Sequence, residues 1–252
     1  TELYLKMMLH ELEQIVDEKV PTTRFLINKV DRLIHYTSML INSFDIMKVG
    51  MDYGDYNTFR KTLTPASGFQ SVQFRFIELH CTSLVNLISQ RFKKERSNNP
   101  DLRECFEHIY WKDAGTDPKT GKKSLTLQLF EEKYLSKLTE TAKTVMGNTL
   151  EDKLDQLPYV PDALRNRLRT FDRLYNIDWP MVHLSTAEHY LDQKGENKQA
   201  TGGSDWKKYL HPKYQQRKFF PSLWTEIEKQ NWGINHKNEH YGSIEQATID
   251  AP

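Results

Sequence analysis

The stretch FLINKVDRLIHYTSMLINSF, residues 25–44, repeats apolar side chains at three- and four-residue steps. The apolar positions are Phe25, Val30, Leu33, Ile34, Leu40, Ile41 and Phe44. Side chains at this spacing fall on one face of an α-helix, whereas a half-buried strand would alternate at every second residue. The stretch therefore predicts a long helix, for which Thr23, shortly after the break at Pro21, is a suitable N-cap.

Helical spacing continues on both sides of this stretch. A first helix is predicted over about Leu5–Val16. After breaks at Gly50 and Gly54, a short helix over Asp55–Thr62 should end before Pro65, because proline disfavours helix in the residue ahead of it. A long helix is then predicted from about Phe69 to Arg91. Later helices are predicted over Leu125–Met146, Leu150–Leu157 and Ala163–Tyr175, and from Pro180 onward.

Together these segments predict one fold class. Strand-like alternation is scarce, and the polar stretches at 93–100, 114–123 and 193–204 are typical of connections. We therefore predict an all-α fold, with residues 1–252 forming a single domain built on a bundle of long helices. Residues 235–252 are predicted to be a polar tail, and because the chain starts at Thr1 inside a predicted helix, a segment ahead of it is expected.

The composition excludes several function classes. The chain has 35 Lys and Arg against 34 Asp and Glu, a balance that provides no electrostatic reason to expect a nucleic acid or an anionic membrane as partner. No apolar run reaches the ~20 residues that a membrane-spanning helix needs. Two cysteines do not make a disulfide framework and favour a reducing compartment, so we expect a cytoplasmic protein.

The most informative segment is YNTFRKTLTPASGFQSVQFR, residues 56–75. Tyr56 and Arg60 are four residues apart and share a helix face. The following loop, Pro65–Gly68, has almost no side-chain bulk, so that its backbone can approach a flat or large ligand closely. From composition alone, an ordinary helix–helix connection explains the same residues.

Residues 200–204, ATGGS, form a second candidate site. The hydroxyl of Thr201 and the free backbone N–H groups at Gly202 and its neighbours could bind the polar end of a small ligand. The alternative is a flexible surface loop. The segment lacks the Gly-Lys-Ser/Thr ending of a phosphate-binding Walker loop.

His183 is the candidate metal ligand among nine histidines. Thr186, Ala187 and Tyr190 fall on its helix face, and Ala187 leaves room beside the imidazole for a flat macrocycle. This is compatible with a haem ligand. A surface histidine or a satisfied core histidine is the alternative. The zinc-protease pattern HExxH and the serine-hydrolase pattern GxSxG are both absent from the sequence.

The order of these segments resembles the tryptophan 2,3-dioxygenase family. The similarity is strongest in LTPASGFQSVQFR (63–75) and weak over residues 98–157. Other similar stretches, in family order, are ELYLKMMLHEL (2–12), FLINKVDRLIHYTSML (25–40), ATGGSDWKKYL (200–210) and FFPSLW (219–224).

The resemblance implies a role for each matching residue. His183 falls at the axial ligand of the haem iron, and Ser67 and Gly68 fall on the loop that crosses the haem edge. Arg60 falls at the arginine that binds the substrate carboxylate, Tyr56 at an aromatic residue of the substrate pocket, and Thr201 and Gly202 at the contact to the amino-acid end. The catalytic histidine of the distal side would lie just before Thr1, outside this chain.

The resemblance also implies a reaction and an assembly. A homotetramer with haem b would insert both atoms of O2 across the indole C2–C3 bond of L-tryptophan, giving N-formylkynurenine in tryptophan catabolism. The chain departs from the family in KGENKQ (194–199), Trp179–Met181 and Asp205–Trp206, near the polar end of the substrate. The alternative is a diverged haem monooxygenase or peroxidase acting on a substituted indole or a related aromatic amino acid. A third hypothesis is a helical protein that retains the scaffold for binding only and has no catalytic activity.

Overall fold

The computed structural model describes residues 1–60, 62, 71–93, 100–117, 119–191, 207 and 210–234, with the backbone alone at 57, 59, 60 and 114. Its first half contains α1 (Glu2–Asp17), α2 (Thr23–Val49), α3 (Tyr53–Arg60), α4 (Val72–Cys81), α5 (Gln90–Lys93), α6 (Leu102–Glu107) and α7 (Tyr110–Ala114). Its second half contains α8 (Leu125–Val145), α9 (Leu150–Asp155), α10 (Asp162–Arg173), α11 (Trp179–Leu191), α12 (Pro212–Gln215) and α13 (Glu226–Gln230). Two short 3₁₀ turns add Leu84–Leu87 and Pro221–Leu223.

These elements confirm the all-α prediction. In the described ranges, β pairing is limited to two isolated bridges, Ile88 with Ile109 and Thr116 with Lys123, and no strand is formed. Within the same ranges, no helix combines the length and the apolar character that crossing a membrane would require.

Helices α1 and α2 form the antiparallel pair on which the core is built. Lys29 donates to Glu11 at 2.6 Å, and the Thr37 hydroxyl donates to the Met8 sulfur at 3.7 Å. Residues later in α2 therefore contact residues earlier in α1, which means that the two helices run antiparallel. The predicted stripe is buried: Leu33 and Leu40 of α2 are fully enclosed. Burial of these side chains, each worth roughly 1.5–3 kcal/mol, holds the pair together.

The start of α2 corrects one sequence prediction. The N-cap is Thr22 and not Thr23, since the Thr22 side chain accepts the hydrogen bond of the Phe25 N–H at 3.2 Å. Thr22 has the extended backbone of a capping residue, with φ −94° and ψ 153°, whereas Thr23 is already helical.

The predicted long helix over Phe69–Arg91 is also wrong. In the described part of this segment, α4 ends at Cys81 and Thr82 is extended, with φ −154° and ψ 163°. Glu151, at the start of α9, accepts hydrogen bonds from the Thr82 hydroxyl at 2.7 Å and the Ser83 N–H at 3.1 Å. Burial raises the pKa of this carboxyl group. The apolar periodicity of the sequence continues past Cys81. The helix ends there because the Glu151 side chain, from a distant helix, binds Thr82 and Ser83.

Helices α10 and α11 are joined by a π-helical turn, Leu174–Asp178. Helical backbone therefore runs from Asp162 to Leu191 without a loop. The C-terminal segment is bound to this long element by Asp172, which accepts from the Phe219 N–H and from the Trp224 indole N–H, both at 2.8 Å. α11 begins at Trp179, but Pro180 does not occupy a first turn as predicted, because the helical backbone of α10 and the π turn runs into it without a break.

Candidate functional site

A cavity of about 470 Å³ lies where the N-terminal end of α1 meets α2, α4 and α11. This volume is within the range of about 300–1,000 Å³ that small-molecule sites occupy. Its lining residues are Thr1, Glu2, Leu5, Phe44, Ser71, Phe74, Arg75, Tyr110, Trp179, Pro180, His183, Leu210 and Arg217. They are dispersed along the sequence, so the cavity is a product of the fold.

His183 forms part of one wall of this cavity. Its ring lies 5.4 Å from the Phe44 ring and 6.2 Å from the Trp179 ring, measured between centroids. No described residue forms a hydrogen bond with its ring nitrogens. Burial disfavours the charged imidazolium and lowers the pKa of His183 to about 4. The imidazole is therefore neutral at pH 7, the form that binds a metal ion.

The cavity extends from His183 in a direction that the sequence did not indicate. On α11 it is lined by Trp179, Pro180 and His183, the N-terminal half of the helix. Tyr190, expected beside the imidazole, instead directs its hydroxyl to the Met51 carbonyl at 3.2 Å. Helical side chains lean toward the N-terminus of their helix, which explains why the space beside His183 belongs to the preceding turn.

A second wall carries a buried charged network. Arg217 donates to the Glu78 carboxylate and to the Tyr110 hydroxyl, both at 2.6 Å, and Tyr110 donates to Glu78 at 2.5 Å. Arg75 pairs with the other Glu78 oxygen at 3.3 Å and donates to the Tyr110 hydroxyl. The exposed fractions of Arg75, Glu78 and Arg217 are 2%, 1% and 7%.

Among the described residues, two guanidinium ions share the Glu78 carboxylate. Arg75, Arg217 and Tyr110 line the cavity, whereas Glu78 lies behind them. The wall therefore places two guanidinium groups beside the cavity, where water screens charge weakly, and guanidinium groups suit an anionic ligand group. Sequence reasoning missed these residues. Arg75 ends the quoted motif at 63–75, but no local pattern indicates that Tyr110 and Arg217 lie beside it.

The structure describes only some of the remaining predicted site residues. Tyr56 lies on α3 and stacks on Tyr190, with centroids 3.9 Å apart, and it is not among the residues that line the cavity. Arg60 is in the last turn of α3, and its side chain lies outside the described part of the structure. Four predicted residues lie outside the described residues altogether: Ser67, Gly68, Thr201 and Gly202.

Comparison with known proteins identifies one family. The sequence profile described as tryptophan 2,3-dioxygenase matches residues 1–146. Among curated proteins, the tryptophan 2,3-dioxygenase of Bacillus thuringiensis subsp. konkukian is 26% identical over 234 residues, which cover 89% of this chain and 79% of the relative. The enzyme of the same name from Herpetosiphon aurantiacus is 27% identical over 234 residues, covering 89% of this chain and 82% of the relative. A third, from a Ruegeria species, is 24% identical over 245 residues.

Proposed function

This chain belongs to the tryptophan 2,3-dioxygenase family, and from that premise we propose that it is a haem-dependent oxidoreductase that cleaves the indole C2–C3 bond of L-tryptophan with O2 and yields N-formylkynurenine. The observation that carries the proposal is His183, whose neutral imidazole faces a cavity of about 470 Å³ at the meeting point of three long helices and α4.

The cavity walls fit haem b in both of its chemical parts. The rings of Phe44, Phe74 and Trp179 provide flat apolar surfaces for a porphyrin. The guanidinium groups of Arg75 and Arg217, which line the cavity, suit the two carboxylates that haem carries at one edge. His183 would hold the iron from one side, and the bound haem would supply the iron that activates dioxygen.

The contribution of His183 is its protonation state. A pKa of about 4 keeps the ring neutral at every pH near 7, so that a nitrogen lone pair is available without the loss of a proton. The Phe44 and Trp179 rings lie beside the imidazole and restrict its orientation.

We propose that the substrate's amino-acid end is bound by Arg60, Thr201 and Gly202, with Tyr56 lining the pocket and Ser67 and Gly68 beside the haem edge. The family match over residues 1–146 supports the assignments at 56, 60, 67 and 68, because these positions lie inside it. For Thr201 and Gly202 the support is their position within the longer similarity to the curated relatives, which covers 89% of the chain. Arginine suits a carboxylate because its planar fork donates to both oxygens.

We also propose that the chain forms a homotetramer in the cytoplasm. The apolar side chains that α1 and α2 leave in the open provide support for self-association: Leu3 is 68% exposed, Ile46 73% and Val49 89%. Light scattering coupled to size-exclusion chromatography tests this assembly, and a monomer at micromolar concentration would reject it.

Two measurements test the function. The purified protein should show a haem Soret band that is lost or strongly altered in His183→Ala and unchanged in His35→Ala, a control at an exposed histidine. The reduced protein should then convert L-tryptophan with labelled dioxygen into a product that contains both oxygen atoms. Incorporation of one atom only would reject the dioxygenase in favour of the monooxygenase, and an unchanged Soret band in His183→Ala would reject the ligand.

A further inference from the structure

The helix that carries His183 contains one turn of different geometry. Between Arg173 and Trp179 the backbone forms a π-helical turn, in which the Trp179 N–H donates to the Leu174 carbonyl, five residues back. The residues on both sides remain α-helical. Such single turns hold one residue more than a regular α-turn, and they are rare enough to need a local cause.

Pro180 is that cause. A proline in a helix has no N–H, and its ring collides with the carbonyl of the residue four positions earlier, here Asn176. Widening the turn just ahead of the proline moves that carbonyl away from the ring, and the helix continues to Leu191 instead of ending.

The extra residue changes the direction in which α11 presents its side chains. His183 follows Phe171, a fully buried residue of α10, by twelve positions. In an uninterrupted α-helix, at about 100° per residue, it would point about 120° away from Phe171. With one residue absorbed by the wide turn, the angle falls to about 20°. His183 then faces the same side as the buried face of α10.

We propose that the π turn at Leu174–Asp178, held open by Pro180, is a positioning device that turns His183 into the cavity. Pro180 is a positioning residue, because it acts on the imidazole through the helix register. The proposal deepens the proposed function and rests on it for the role of His183 as the haem ligand.

Contacts on the turn hold it in this register. The Tyr175 ring stacks on Phe74 with centroids 4.8 Å apart, and its hydroxyl donates to the Phe74 carbonyl at 3.2 Å. Phe74 itself lines the cavity. Asn176 donates to the Asp172 carboxylate at 2.8 Å, one turn earlier. Through Tyr175 the turn is thus attached to a second cavity wall.

The test is a cycle of four proteins: the parent, Pro180→Ala, a deletion of Ile177, and the two changes combined. Ile177 is chosen because, although buried, it is not one of the side chains that pack together in the main apolar core, whereas Tyr175 and Trp179 are. Pro180→Ala permits a regular helix and so turns His183 away. Deletion of Ile177 alone forces Pro180 into a regular turn. The combined change yields a regular helix of the right length, in which His183 faces the cavity again.

Two readouts follow the cycle. Haem titration should show the dissociation constant rising by roughly tenfold or more in each single variant, the usual effect of misorienting a metal ligand, and returning toward the parent value in the combined variant. In the haem-free proteins, a nuclear Overhauser effect between the Phe44 and His183 rings, 5.4 Å apart, should be lost in Pro180→Ala and regained in the combined variant.

The outcomes separate this proposal from the proposed function. If the parent binds no haem, the function fails, and the ring–ring signal still decides the role of the turn. If the parent binds haem through His183 but the two changes act additively, with no recovery in the combined variant, the positioning role is wrong. An unchanged signal and affinity in Pro180→Ala would equally overturn it.

Discussion

The two walls of the cavity differ in how their ionisable side chains are accommodated away from water. The His183 wall buries one ionisable group among aromatic rings, and the group stays neutral with its pKa lowered to about 4. The Arg75 wall buries three ionic side chains, Arg75, Glu78 and Arg217, which are joined to one another and to Tyr110 by hydrogen bonds. A neutral group is available to a ligand, whereas a paired group also holds the fold together. Substitutions in the His183 wall should therefore affect ligand binding, and substitutions in the Arg75 wall should affect both ligand binding and the stability of the fold.

The largest effect is expected at the charged wall. Glu78→Gln leaves two buried guanidinium ions without their carboxylate, and breaking such a pair costs about 3–5 kcal/mol of unfolding free energy. Urea unfolding of the haem-free protein measures it. Glu107→Gln removes a carboxylate that is 54% exposed and pairs with an arginine 88% exposed, so it should cost less than about 0.5 kcal/mol. Equal losses in the two variants would show that the network does not stabilise the fold.

The His183 wall should make the stability of the haem-free protein depend on pH. Because the pKa of His183 is lowered in the folded protein to about 4, the unfolded chain binds the extra proton first as pH falls. Stability is therefore full above about pH 6.5 and declines toward pH 4, by up to about 3 kcal/mol. The comparison is between the haem-free parent and His183→Ala, since His80 also titrates with a lowered pKa and is retained in both. Parallel curves for the two proteins would contradict a buried neutral imidazole.

A change at Arg60 should affect substrate binding, and it should leave haem binding and the stability of the fold unaffected. If Arg60 binds the substrate carboxylate, Arg60→Ala should raise the KM for L-tryptophan by roughly 30-fold, which corresponds to about 2 kcal/mol for a charged hydrogen bond. Haem content and unfolding free energy should stay near the parent values. Arg103→Ala, at an arginine that is 88% exposed, provides the matched control. Turnover of L-tryptophan by Arg60→Ala at the parent's KM would remove the carboxylate-binding role.

Parts of the fold and the site could be predicted because their cause is local. The stripe along residues 25–44 predicted α2, and the helical segment around Tyr56 and Arg60 is α3, which begins at Tyr53. His183 could be singled out from its helix and from a family resemblance, and the structure places it in a cavity wall. The helix predicted over 69–91 failed because its break at Thr82 depends on Glu151, which is 69 residues away in the chain.

Sequence alone determined the helical class, the periodic faces of the long helices and the family, since three- and four-residue spacing and motif order are properties of neighbouring residues. Tertiary structure decided the charged wall, because Glu78 meets Arg217 across 139 residues of chain and Tyr110 across 32. The direction of His183 depends on both: Pro180 favours the wide turn ahead of it, which changes that direction by about 100°, and the packing of Tyr175 on Phe74 holds the turn. Contacts between residues so far apart in the chain depend on how the whole chain packs, because no pattern of neighbouring residues encodes them.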